Sequence, residues 1–176
     1  MRVIGLAGWS GAGKTTLLTR LIPELARRGV SVSTVKHAHH GFDLDKPGKD
    51  SYEHRQAGAH EVLISSERRW ALMHELRGEP EAHLPDLLRR LSPVDLVIIE
   101  GFKREPHLKI EVHRAANGKP PLHPGDPMIV AIACDSAFPE AGCPVVDLDD
   151  IGAIAEIVLS CAEPLTAILA RVQQQG

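Results

Sequence analysis

Gly8-Trp9-Ser10-Gly11-Ala12-Gly13-Lys14-Thr15 decides the fold of this chain: it satisfies G-x-x-x-x-G-K-[ST] in full, with Thr16 directly behind it. The apolar run Val3-Ile4-Gly5-Leu6-Ala7 precedes it and reads as a short buried strand. Leu17-Leu18-Thr19-Arg20-Leu21-Ile22 follows with helical spacing. Strand, glycine-rich loop and helix in that order form a cradle for a polyphosphate, because the loop's N–H groups turn inward and the helix N-terminus adds about half a positive charge. Gly8, Gly11 and Gly13 permit backbone angles and a closeness of approach that a Cβ blocks. Lys14 reaches the outer phosphates, and the Thr15 hydroxyl suits Mg²⁺.

Working outward, the helix from Lys14 should run through Arg28 and stop at Gly29, with two basic residues at its negative end. Val30 to Val35 reads as a second strand, and strand-helix-strand at this spacing means a parallel pair with a right-handed crossover. The long polar segment Lys36 to Ser51 is punctuated by Gly and Pro, which marks it as functional or mobile. His37, His39 and His40 within it read either as a solvated or phosphate-facing cluster or as metal ligands. Asp50, with Glu53 three residues on, reads as an N-cap with a capping box, and alternatively as a carboxylate near the magnesium or an attacking water. Glu61 to Ser66 and Arg69 to Glu75 predict a hairpin that adds an antiparallel margin to the sheet, and Pro80 to Leu91 predicts an amphipathic helix.

Val94-Asp95-Leu96-Val97-Ile98-Ile99-Glu100-Gly101 has the unbroken apolar pattern of a strand covered on both faces. Asp95 and Glu100 stand at its two ends, about 16 Å apart at about 3.3 Å per residue. Ligands of doubly wound sheets sit at the carboxyl ends of strands, so Glu100 can approach a phosphate-bound Mg²⁺ and Asp95 cannot. Lys103 and Arg104 follow, read either as anion contacts or as an ordinary solvated pair. Leu108 to His113 alternates apolar and polar, which predicts a strand exposed on one face. Asn117 to Pro127 reads as a loop, Met128 to Cys134 as a buried strand followed by Asp135, Val145-Val146 as a short last strand, and Ile151 to Ala162 as a helix with another after Pro164. Gly8 to Thr16, Lys36-His37, Glu100-Gly101 and Asp135 thus all follow parallel strands and converge on one sheet edge.

The fold class is therefore α/β: a mostly parallel sheet of P-loop NTPase type with flanking helices and an added antiparallel hairpin, in a single domain spanning residues 1–176. A net charge of −3 argues against a nucleic-acid binder, which shows a basic excess. Three cysteines without C-x-x-C spacing indicate neither a disulfide framework nor a cysteine zinc site, and no apolar run approaches membrane-spanning length. A cytoplasmic protein without nucleic-acid or membrane partners is the expectation.

The phosphate loop, then Lys36-His37-Ala38-His39-His40-Gly41-Phe42-Asp43, Lys46-Pro47-Gly48-Lys49-Asp50-Ser51 with Ala57-Gly58-Ala59, and Ile99-Glu100-Gly101-Phe102-Lys103 together resemble MobB, the adapter family of molybdopterin guanine dinucleotide synthesis. The likeness runs from residue 1 to about Asp135. It implies a P-loop GTPase of the signal-recognition and MinD-like class, with GTP and Mg²⁺ as ligands, weak hydrolysis and a homodimer. Its implied partner is the guanylyltransferase MobA that joins GMP to molybdopterin, with molybdopterin itself a further candidate. Carried over, it places Gly8, Trp9, Ser10, Gly11, Ala12, Gly13, Lys14, Thr15, Thr16, Lys36, His37 and Gly101 at the nucleotide. Thr15 and Glu100 take the metal, Asp135 lies near the base, and Lys14, Asp50 and Glu100 are the catalytic candidates. The chain departs from the Asn-Lys-x-Asp guanine signature, since Ala133-Cys134-Asp135 keeps only the acid. A small-molecule kinase using the same loop, and a GTP-driven metallochaperone using His37, His39 and His40, are the competing readings.

Overall fold

Strands that are apolar on both faces need cover on both faces, and the helices of this chain supply it. The computed structural model describes residues 1–38, 41–138 and 141–173. In chain order the elements are β1 (Arg2–Ala7), α1 (Lys14–Arg27), β2 (Val32–Lys36), α2 (Asp50–Gln56), β3 (Glu61–Ser65), β4 (Trp70–His74), α3 (Leu84–Arg89), β5 (Leu96–Glu100), β6 (Lys109–His113), β7 (Ile129–Cys134), β8 (Val145–Asp147), α4 (Ile151–Cys161), β9 (Glu163–Pro164) and α5 (Leu165–Gln173). Two units result, one of Met1–His37 with the chain from Leu84 on, the other Ala38–His83.

The first unit holds a sheet in the order β2-β5-β1-β6-β7-β8, its neighbours parallel. β9 adds to it antiparallel, opposite Arg2 and Val3 at the start of β1. Alternate residues serve opposite faces. Ile4, Leu6, Leu96, Ile98, Ile110 and Val112 pack with Leu17, Leu21 and Leu25 of α1 and Ile154 and Val158 of α4. Val3, Val97 and Ile99 pack on the other side with Leu84 and Leu88 of α3 and Ile168 of α5. Asp150 caps α4 by accepting the Ala153 N–H at 2.9 Å, satisfying one orphan donor of the first turn. α3 is shorter than Pro80 to Leu91. It opens at Leu84 with Pro85 in its first turn, where the missing N–H costs nothing.

β6 corrects the expectation of a half-exposed strand. It lies between β1 and β7, with Lys109 1% and Glu111 0% exposed. Lys109 Nζ meets Asp126 Oδ2 at 3.2 Å. The Glu111 carboxylate accepts the N–H groups of Leu122 at 2.7 Å and His123 at 2.9 Å. Alternation reports a change of chemistry between faces, not which face meets water. Here the chain after β6 supplies the polar partners that burial demands. His107 is also fully buried, and its ring lies on Gly5, where an added Cβ would stand 2.4 Å from Nε2.

In the second unit the hairpin β3-β4 is present, with Glu61 opposite His74 and Ser65 opposite Trp70. It is a two-stranded sheet of its own rather than a margin of the parallel sheet. Arg55 organises the preceding segment: its guanidinium donates to Asp45 at 2.6 and 3.1 Å, Asp43 at 2.9 Å and Glu75 at 2.9 Å. Asp50 is the first residue of α2 rather than its cap, which is Lys49. Glu53 reaches back to the Gly48 N–H at 3.4 Å rather than to Asp50, so the expected Asp50–Glu53 capping box is not the arrangement found.

Candidate functional site

The parallel register brings the chemistry to one edge. Leu6 of β1 and Lys36 of β2 both stand opposite Glu100, the last residue of β5. The loop Gly8 to Gly13 leaves β1 there. Gly8 is irreplaceable on steric grounds, since a Cβ would come within 2.5 Å of the Val112 carbonyl oxygen. Gly13 takes φ 92° as the left-handed N-cap of α1, with no side-chain cap and no acidic residue in the first turn. The protein thus leaves the N–H groups at this helix start without an anion of its own.

Lys14 Nζ donates to the carbonyls of Gly8 at 2.9 Å and Trp9 at 3.1 Å, folded along the loop it belongs to. Burial pushes its ammonium below the usual lysine range, Glu100 opposes that, and Lys103 and Lys36 reinforce it. The Thr15 hydroxyl donates to Glu100 Oε1 at 3.0 Å, and Lys36 Nζ lies 3.5 Å from the same oxygen. Glu100 is 8% exposed and Thr15 is exposed. A hydroxyl and a carboxylate meeting beside the loop are hard oxygen donors of the kind Mg²⁺ accepts. At the other end of β5, Asp95 Oδ2 takes the Ser31 hydroxyl at 2.6 Å and its N–H at 2.9 Å, a purely structural clamp.

His37 donates its N–H to the Glu100 carbonyl at 2.9 Å, and its ring stacks against Phe102 at 4.6 Å between centroids. Gly101, at φ 99°, admits that contact, because a Cβ there would lie 2.8 Å from His37 Cβ. Thr16 is exposed on the first turn of α1. Lys103 Nζ sits 4.7 Å from the centre of the Trp9 ring. His39 and His40 lie outside the described residues. Among the described residues no group of three His, Cys, Asp or Glu side chains is arranged to hold a metal ion. Asp50 belongs to the other unit, exposed in the first turn of α2.

Asp135 follows β7, as expected, but its carboxylate is engaged. Oδ1 accepts the Ala115 N–H at 2.9 Å, and Oδ2 faces Arg114 at 3.7 Å. A shallow pocket of about 330 Å³ opens beside it, lined by Cys134 to Ala137 and Val145 to Asp147. Three contacts that the sequence did not signal tie the chain after β6 to the loop. The Trp9 indole donates to the Pro120 carbonyl at 2.7 Å, Asn117 Nδ2 donates to the Ser10 carbonyl at 3.0 Å, and the Arg114 guanidinium lies against Gly13. No local motif announces them, because each spans about a hundred residues and exists only through the pairing of β1 with β6.

Residues 3–135 match the family described as MobB, Molybdopterin guanine dinucleotide synthesis protein B. The chain is 42% identical over 160 residues to the molybdopterin-guanine dinucleotide biosynthesis adapter protein of Escherichia coli (strain K12), covering 89% of this chain and 91% of that protein. It is 40% identical over 159 residues to the protein of the same name from Haemophilus influenzae, covering 89% and 86%. A crystal structure of molybdopterin-guanine biosynthesis protein B superposes with a TM-score of 0.67 at 31% identity, over 90% of this chain and 97% of that one. With the likeness covering the phosphate loop, the Lys36 to Ser51 segment and Glu100 together, the chain belongs to the MobB family.

Proposed function

We propose that this protein is a GTP-binding adapter of molybdopterin guanine dinucleotide synthesis, assisting the attachment of GMP to molybdopterin. In this reading it works in the cytoplasm as a homodimer beside the guanylyltransferase MobA, with molybdopterin a further candidate ligand. At most it is a weak GTPase. The observation that carries the nucleotide part is the meeting of Thr15 and Glu100 at 3.0 Å beside a helix start whose first turn holds no acid. The phosphates take the N–H groups of Gly8 to Thr16, Lys14 leaves its two carbonyl partners for them, and Lys36 adds a second cation. Thr15 and Glu100 would hold Mg²⁺, which supplies charge neutralisation to the phosphates when bound. Asp135 stands beside the pocket where a guanine would present its N1-H and 2-amino donors.

The test is direct titration of GTP with Mg²⁺ into native protein and Lys14→Ala, with apo melting temperature as the fold control. Lys14→Ala removes a charge from the loop and nothing from the core, so it should abolish triphosphate binding at unchanged melting temperature. Native GTP affinity in that variant contradicts the reading. Co-purification of MobA with the native protein, and a dimer in solution, are the expected outcomes for the partner part.

A further inference from the structure

The geometry points to Arg114 as a third cationic ligand of the phosphate chain beside Lys14 and Lys36, supplied in cis from the segment after β6; the inference rests on the nucleotide reading above and deepens it. Its guanidinium lies against the foot of the loop. A Cβ on Gly13 would stand 3.1 Å from Arg114 Nε and 3.6 Å from one terminal nitrogen, so the guanidinium packs closely on this glycine. Gly13 is also the N-cap of α1, where the phosphate-binding N–H groups begin.

Arg114 is otherwise little used. Its side chain is 38% exposed, its ion-pair partner among the described residues is Asp135 at 3.7 Å, longer than a hydrogen bond, and the Asp149 charge also acts on it. Among the described residues its five donors form no hydrogen bond. A guanidinium so placed beside a helix start without its own acid is matched to an oxyanion, because its planar fork fits two phosphate oxygens at once.

Its position is held rather than adventitious. Asp135 accepts the next residue's N–H, from Ala115, at 2.9 Å while facing the guanidinium. Asn117, one turn on, is tied to the Ser10 carbonyl at 3.0 Å. The segment is therefore pinned to the loop on one side and to the end of β7 on the other, with Arg114 between. Asp135 acts on the phosphates through Arg114 as a positioning residue, whatever it does at the base.

The experiment measures the affinity of GTP and, by competition, of inorganic tripolyphosphate, which has no base or ribose, in native protein, Arg114→Ala, Arg114→Lys, Arg114→Gln and Lys14→Ala. Arg114→Ala should weaken both ligands by the same factor, about tenfold to a hundredfold for a lost charged hydrogen-bond pair. Lysine should recover part of the loss and glutamine none, since a brace for the loop needs no charge. Should Arg114→Ala fail to fold, the Lys and Gln variants carry the comparison alone. Unchanged affinities with Lys14→Ala inactive overturn the assignment, as does a loss confined to GTP or a glutamine variant as good as lysine. Absence of GTP binding by the native protein, or native binding by Lys14→Ala, overturns the nucleotide reading itself.

Discussion

The Thr15 hydroxyl donates to Glu100 Oε1 at 3.0 Å, joining two residues 85 apart in sequence, one in the first turn of α1 and the other the last residue of β5. A carboxylate that is 8% exposed keeps its charge at low cost only when paired, and here Thr15 and Lys36 share the same oxygen. The pair is thus held ready at the loop by the sheet itself.

Glu100→Gln keeps the shape of the side chain and removes its charge. GTP affinity measured with Mg²⁺ should fall about tenfold or more, while affinity in excess chelator should hold or rise. Identical chelator sensitivity in variant and native protein would place the metal elsewhere.

Asp135 should confer a preference for GTP over ATP of about tenfold to a hundredfold, since adenine leaves the carboxylate facing an acceptor with no 2-amino donor. Asp135→Asn keeps an oxygen for the Ala115 N–H but reverses the hydrogen-bonding character toward the base. It should weaken GTP and favour xanthosine triphosphate. An unaltered preference order would leave Asp135 as the anchor of Ala115 and Arg114 alone.

Glu111, fully buried on β6, accepts two backbone N–H groups from the segment after it. Glu111→Ala orphans both donors, at about 1 to 3 kcal/mol each, so urea denaturation should register a loss of about 3 kcal/mol. A loss under about 0.5 kcal/mol, the usual range for surface changes, would mean that water replaces the carboxylate.

His107 should make the protein acid-sensitive. Its ring is fully buried, and burial, helped by Lys109, lowers its pKa from 6.5 to about 4. Above about pH 6.5 the ring is neutral folded or unfolded and contributes no slope. Between about 6.5 and 4 the unfolded chain binds a proton that the folded one refuses, so stability falls as pH falls, by at most about 3 kcal/mol in total. His107→Leu should show a shallower decline over that window in pH-dependent urea melts. Parallel curves for the two proteins would contradict this origin.

Much of the fold is legible in the sequence because its signals are local. The apolar runs of β1 and β5, the glycine loop, the helix α4 and the β3-β4 hairpin each lie within about a dozen residues and report on dihedral preference or period. Even the placement of Lys36, Glu100 and Asp135 on one edge follows from strand polarity, since parallel strands carry their carboxyl ends to the same side.

The tertiary structure decided what depends on neighbours. That β6 runs between β1 and β7, burying Lys109 and Glu111, is a matter of strand order, which alternation along β6 does not encode. The same order brings Arg114 to Gly13, Asn117 to Ser10 and Pro120 to Trp9, and turns the Asp135 carboxylate toward Ala115. Residue type and spacing determine which chemistry a chain carries to its sheet edge. Which of those groups touch is set by the pairing of strands far apart in sequence, an outcome of the whole core rather than of any one segment.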